Sequence, residues 1–297
     1  MGLGSIFGGV RGEASLTKLL KKYDRKQTLV PLTVTDFVRT SGFHRICPRE
    51  EVLRSVHKID KEDFISPDTL LTFNHGSGIH WALQNIILPD LGVLLGMWKC
   101  QTCAFLHGAV ADGLKPTTAA IRRPSVCGQR INAFPSLSCL GEDFVFVEYD
   151  LKDDQHRITG HADGFLALPG MSGMGILEAK SISSQQVWLV KNSPKVEHYV
   201  QAQIYMWLTG LEWGLIVYWE KGAYGLKAIK EHFIERDDQT ISKVRSELRS
   251  LWDGLASGVL PFRICSSPEC ERALKCSATS SCFDGYTPEV DDGVGKF

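Results

Sequence analysis

Three observations predict an α/β fold. Strand-like runs at 144–149, 157–168 and 175–182 follow one another, and the turn signal Pro169-Gly170-Met171-Ser172-Gly173 separates the last two. A helical pattern over 196–208 comes next and leads to two further strand-like runs at 213–219 and 225–233. Hydrophobic residues make up 43% of the 297, an ordinary share for a soluble chain of one large domain or two small ones.

Taken in order, residues 1–14 form a Gly-rich lead, and basic and apolar residues then alternate at helical spacing over 15–25. The segment 35–54 reads as helix–turn–helix and carries Cys47. A helix is expected over 78–88, with Pro89 near its end. Together these make an N-terminal helical part, 15–99. Over 100–140 the composition shifts to Cys, Pro, Gly, Arg and small polar residues, which predicts an inserted loop-rich module rather than a core element. The core resumes over 141–256 and includes a polar helix at 238–255. A cysteine-bearing tail, 257–283, and a Gly/Asp-rich end, 284–297, expected to be disordered, complete the chain.

A formal charge of −1 gives no overall attraction for nucleic acid, so binding to it needs a local basic surface. Lys18, Lys21, Lys22, Arg25 and Lys26 form one such group, and Arg122, Arg123 and Arg130 another. A solvated helix face and an ordinary loop are the alternatives. No stretch is long or apolar enough to span a membrane, and the N-terminus lacks the order of a secretory signal. Nine cysteines without such a signal predict reduced, metal-binding thiols in a cytoplasm rather than a disulfide framework.

The strongest local pattern joins Asp163, Glu178 and Lys180. If the runs on either side of the 169–173 turn pair as an antiparallel hairpin, Asp163 lies nearly opposite Glu178. Directly opposed side chains are about 5 Å apart at Cβ, close enough to share a divalent ion. Glu178 and Lys180 are two residues apart on a strand and so face the same way. This set suits phosphodiester hydrolysis: Mg²⁺ takes a few carboxylate oxygens plus water and phosphate, and a lysine can orient the water or stabilise developing charge. A surface hairpin with an ordinary Glu–Lys pair is the alternative. His80, expected at the start of its helix, offers a neutral imidazole to complete a metal site, or fills a structural role. Gln201 and Tyr205 are spaced i, i+4 and share a helix face, either beside a passing DNA backbone or capping the core.

In this order, Gly76…His80, Gly160-His161-Ala162-Asp163-Gly164, Glu178-Ala179-Lys180 and Gln201-x-x-x-Tyr205 resemble the PD-(D/E)xK nucleases. The match is to the RecB-like branch, with a histidine before the acids and a Gln-x-x-x-Tyr helix after the lysine, and it covers roughly 35–283. Ala162 stands where the family usually has proline. The resemblance implies a restriction-endonuclease-like core with a mixed sheet flanked by helices. It further implies Asp163, Glu178 and His80 as Mg²⁺ or Mn²⁺ ligands, Lys180 as the catalytic lysine, and Gln201 and Tyr205 as DNA-contacting or orienting groups. Cys47-Pro48-Arg49 together with the late cysteines is similar to the iron–sulfur subset, which includes CRISPR-associated adaptation nucleases, the AddB nuclease domain and phage relatives. There, one early and three late cysteines hold a [4Fe–4S] cluster as a clasp joining the two ends of the domain. Cys276-x5-Cys282 has the subset's final spacing, while its usual preceding Cys-x2-Cys is missing. Cys265, preceded by Pro261-Phe262-Arg263, is preferred to Cys270 as the remaining ligand. Zinc held by the tail cysteines without Cys47 is the alternative.

Cys100-x2-Cys103 has a zinc-knuckle spacing, with Cys127 and Cys139 as the remaining ligands and His107 able to replace one. A zinc ion would hold a loop-rich segment that has little apolar content. A loop with chance cysteines is the other reading. The whole predicts a Mg²⁺- or Mn²⁺-dependent exonuclease acting on single-stranded DNA or duplex ends in recombination, repair or phage DNA processing. Its setting would be the cytoplasm of a bacterium or phage-infected cell, with a helicase or an annealing or recombination protein as partner and no membrane. A non-catalytic DNA-binding or assembly module, a structure-specific endonuclease and a zinc-finger regulator are the rivals.

Overall fold

The structure, a computed structural model, describes residues 37–57, 67–110, 114–131 and 134–284. The expectations for the N-terminal lead, the first basic group and the last residues of the chain lie outside these. In chain order, strand β1 (Val38–Arg39) leads through a 3₁₀ turn (Thr40–Arg45) into helix α1 (Pro48–His57). A strand and a tight turn thus stand where the sequence predicts a first helix. Pro48 suits the first helical position because its missing N–H would be unpaired there. Glu50 and Glu51 in the first turn complement the helix dipole. Helix α2 (Pro67–Ala82) runs through a π turn (Leu83–Ile87) into a last turn at Leu88–Asp90. It begins well before the predicted start, so His80 sits in its last turn rather than its first.

Short strands follow: β2 (Leu94–Leu95), β3 (Met97–Cys100), β4 (Leu106–His107), β5 (Arg130–Ile131), β6 (Phe134–Ser138), β7 (Phe144–Val147) and β8 (Tyr149–Asp153). Then come β9 (Ile158–Ala162), β10 (Gly164–Leu166), β11 (Gly175–Ile182), helix α3 (Val196–Thr209), β12 (Trp213–Glu220), β13 (Ile229–Glu235) and helix α4 (Asp238–Ser257). Gly225–Ala228 is a 3₁₀ turn rather than the start of a strand. Helix α4 is opened by the Asp237 carboxylate, which accepts from the N–H groups of Gln239 and Thr240. It buries Ile241, Val244, Leu248 and Leu251 at helical spacing. Two short helices follow, α5 (Glu271–Leu274), preceded by Cys270 as its N-cap, and α6 (Thr279–Phe283), which carries Cys282.

The central sheet is mixed, in the order β13-β12-β11-β10-β2. β11 pairs antiparallel with β10 and parallel with β12, and α3 makes the connection that a parallel pair needs. β11 is buried along most of its length, as expected of a strand covered on both faces. On one face Ile176, Ile182, Ile216 and Tyr218 pack with Ala202, Tyr205 and Met206 of α3. On the other, Leu177 and Val217 pack with Leu94, Trp98, Phe144 and Phe146. Cys100, Cys127 and Cys139 belong to this second cluster, so the cysteine segment packs against the core through these three side chains. Among the described residues no helix is long and apolar enough to cross a membrane.

Candidate metal centres and active site

Asp163 sits where β9 ends and β10 begins, the point at which the chain passes from the β1-β9-β8 sheet into the central one. Two glycines make this possible. A side chain on Gly160 would collide with Thr40, and Gly164 has φ +150 and presses on Leu94. The β10–β11 ladder pairs Gly164 with Leu177, and one step further along this register brings Asp163 opposite Glu178. Asp163 Oδ2 accepts from the backbone N–H of Ala179 at 2.7 Å, and Oδ1 lies 3.4 Å from His80 Nδ1. Lys180 Nζ contacts Glu178 Oε1, while Glu178 Oε2 is buried without a hydrogen-bond partner among the described residues. Helix α2 reaches this strand closely because Gly76 has no side chain, a Cβ there lying 3.1 Å from Ser181 Oγ.

Asp163 is 7% and Glu178 1% exposed, so their charges interact strongly with each other and with their neighbours. Burial pushes the Glu178 carboxyl up to about 7, against the pull of Lys180 and with added repulsion from Asp163. Burial also acts on Asp163, but His80, Lys180 and the Ala179 N–H hold it below the usual range. His80 is raised: Asp163 outweighs the effect of its own burial. Lys180 is likewise raised, because Glu178 and Asp163 outweigh its desolvation.

His80, Glu148 and Asp163 bring one ligand atom each to within 4.8 Å of one another. Glu148 was not foreseen from the sequence. It lies between β7 and β8, and Gln84, from the π turn, donates to both Glu148 Oε1 and the Asp163 carbonyl at 2.9 Å. π turns recur at functional sites, but nothing in the local sequence marks this one. Gln201 and Tyr205 do share a face of α3, yet both are buried, Tyr205 at 1%. The Tyr205 hydroxyl accepts from Gln201 Nε2 at 2.8 Å and Thr40 Oγ1 at 3.0 Å. Their place suits orienting groups rather than an exposed track for a DNA backbone.

Cys100, Cys103, Cys127 and Cys139 bring their sulfurs within 4.8 Å of one another. Cys100 and Cys103 flank the turn between β3 and β4, where Ala104 takes a left-handed φ of 61°, strain of order 1 kcal/mol. Cys127 and Cys139 meet because the β5–β6 ribbon extends to the bonds Cys139 N–H to Gln129 O and Gly128 N–H to Cys139 O. The Sγ–Sγ distances are 3.9 Å for Cys100–Cys139 and 3.5 Å for Cys103–Cys127. Four thiolates around one tetrahedral zinc at ~2.3 Å stand ~3.8 Å apart, so this donor set fits. Burial acts to raise the Cys100 thiol, but the N–H groups of Cys103 and Thr102 hold it down to about 7. His107 Nε2 lies 3.2 Å from Cys127 Sγ, beside the four thiols.

Cys47, Cys265, Cys276 and Cys282 line one small pocket with Arg49, Arg263 and Arg272. Cys270 is not among its lining residues; its sulfur accepts from the Ala273 N–H at the start of α5. Arg272 binds the carbonyls of Arg45 and Ile46, and Arg49 binds that of Pro261, so the tail is tied to the segment around Cys47. Arg49 Nε is buried in this pocket with no hydrogen-bond partner among the described residues. An orphaned donor beside four thiols fits an anionic sulfur-rich group. Elsewhere, exposed Arg122 donates to the Gly92 carbonyl, and Arg123 to the Asn85 carbonyl and the Asp90 carboxylate, bracing the end of the α2 segment. Arg130 is exposed.

No protein-family model matches the chain, and no curated protein matches it. Among solved structures it is similar to an alkaline exonuclease from Laribacter hongkongensis, at 14% identity and TM-score 0.39, over 75% of this chain and 89% of that one. It is also similar to the protein SSO0001, at 15% identity and TM-score 0.42, over 93% and 100%. A third likeness is to a phage-related exonuclease from Haemophilus somnus 129PT, at 16% identity and TM-score 0.27, over 38% and 63%. At such scores and identities, what the site does is read from its own geometry.

Proposed function

We propose that this chain is a divalent-metal-dependent DNA nuclease of the PD-(D/E)xK type, acting as an exonuclease on single strands or duplex ends. The observation that carries this reading is the convergence of Asp163, Glu178 and Lys180 beside His80, with a buried Glu178 oxygen that no group among the described residues satisfies. A buried, unsatisfied carboxylate is costly, and a cation is its natural complement. Asp163 and His80 would hold Mg²⁺ or Mn²⁺ with Glu178 beside them, and Glu148 stands with Asp163 and His80 in one group of ligand atoms. When bound, such an ion supplies Lewis acidity toward the phosphate and acidifies the attacking water. Lys180, held by Glu178, places a positive charge where negative charge develops on phosphorus. The Ala179 N–H fixes the orientation of Asp163, and Gln84 that of Glu148.

In the same reading Cys100, Cys103, Cys127 and Cys139 hold structural zinc. Cys47, Cys265, Cys276 and Cys282 hold a [4Fe–4S] cluster that clasps the tail to the start of α1. Sulfur spacing supports the first and the arginine-lined pocket the second. The nuclease claim is tested by Mn²⁺-dependent degradation of an end-labelled oligonucleotide. Wild type should cleave, and Glu178→Ala and Lys180→Ala should each lose about 10²-fold or more. Equal degradation by wild type and both variants would sink it.

A further inference from the structure

An open cleft runs along α2 from Thr72 and Lys221 to His80 and Glu148, the less buried members of the acidic group. A neighbouring cleft shares Trp81, Asn85 and Val145 with it and continues to Arg123. Two aromatic side chains stand in this track, Phe73 at 55% and Trp81 at 53% exposed. They are eight residues apart, about 12 Å along the axis and about 80° round it, and both line the cleft. His80, seven residues after Phe73, lies within about 20° of it around the helix, with Trp81 about 100° from His80; all three line the cleft. Exposed aromatics are common singly; two lining one cleft that ends at a metal-ligating group are not explained by packing.

Charge decides what this cleft suits. Among the described residues that line it, histidine aside, the cation is Lys221, whose ammonium donates to the Thr72 carbonyl, and Glu148 opposes it; Arg123 in the adjoining cleft is paired with Asp90. Among the described residues, a duplex held by its two phosphate backbones would find little countercharge along this cleft before Lys180 at its end. Unpaired bases, by contrast, bind sequence-tolerantly by stacking on aromatic rings. We infer that Phe73 and Trp81 are a stacking platform for single-stranded DNA, holding the unpaired bases that flank the phosphate presented to His80 and Asp163. This rests on the nuclease reading and narrows its substrate to an unpaired strand or a frayed end.

The test measures binding by anisotropy, with Ca²⁺ replacing the catalytic metal, of a fluorescein-labelled 12-mer of thymidylate and of a blunt DNA hairpin. The preference for the single strand over the hairpin should fall about tenfold in Trp81→Ala and in Phe73→Ala, the order expected of one lost stack. Trp81→Tyr, which keeps a ring, should stay near wild type. An unchanged preference in the alanine variants would overturn the platform. So would Trp81→Tyr behaving as Trp81→Ala, or a Tm loss shared by all three variants, since either marks a packing role. Binding of the 12-mer that depends on both rings, with no cleavage in Mn²⁺, supports the platform and removes the nuclease reading instead.

Discussion

The Glu178 carboxyl should make Mn²⁺ affinity depend on pH across a range where an ordinary carboxylate would not. Burial raises it from 4.5 to about 7, and a metal takes only the ionised form. The sign follows directly: as pH falls through 7 a proton competes for the ligand and affinity drops; above 7 the ligand is free and affinity levels off. At pH 6 about one Glu178 in eleven is ionised, and at pH 8 about ten in eleven. The apparent dissociation constant should therefore be about tenfold weaker at pH 6, or ~1.4 kcal/mol. His80 acts in the same direction, because its raised pKa means a proton must leave before it can ligate. Asp163, held low, contributes nothing in this window. Calorimetric titration of Mn²⁺ at pH 6, 7 and 8 measures this in wild type and Glu178→Gln. The variant should bind more weakly throughout, with only the shallower slope that His80 leaves. A wild-type affinity that is flat from pH 6 to pH 8, or an equal slope in the variant, refutes the assignment of Glu178 as a ligand.

Two further outcomes separate metal from packing at the cysteine sites. Cys103 is exposed while Cys127 lies in the core cluster, so Cys103→Ser should release zinc, measured by mass spectrometry per chain, without leaving a core cavity. Cys127→Ser should release zinc and also place a hydroxyl in the core, lowering Tm further by an extra ~1–3 kcal/mol of unfolding free energy. In the tail, Cys282→Ser should abolish iron and sulfide after anaerobic purification, whereas Cys270→Ser should retain both, since its sulfur caps α5 and lies beside Cys265 but outside the lining of the pocket; full iron loss in Cys270→Ser would reverse the choice between Cys265 and Cys270.

Local patterns were legible in the sequence where local physics decides them. The turn at 169–173 and the two-residue alternation of strands announce the β10–β11 hairpin, and with it the approach of Asp163 to Glu178 and the shared face of Glu178 and Lys180. The start of α2 was not legible, because Asn74, Gly76 and Gly78 weaken its helical pattern. Gly76 is kept for close approach to Ser181, a tertiary demand. The joining of Cys127 to Cys139 rests on a ribbon whose partners are fixed by register, not by cysteine spacing. Glu148 was hidden for the same kind of reason: it reaches Asp163 only because a π turn far away in sequence carries Gln84 to both.

Ala179 shows how closely the two halves of the candidate site depend on each other. Its N–H holds Asp163 from one strand, and its side chain, fully buried, is covered by Ile79 and Leu83 of the α2 segment. Those two residues flank His80 and Gln84. The small side chain at 179 therefore sets how near α2 can come, and through it where the His80 imidazole and the Gln84 amide stand relative to Asp163. A larger group there would overpack a filled contact and move two side chains that it does not touch. The triplet Glu178-Ala179-Lys180 thus acts through four groups: a carboxylate, an ammonium, a backbone N–H and a methyl that fixes the distance to the helix.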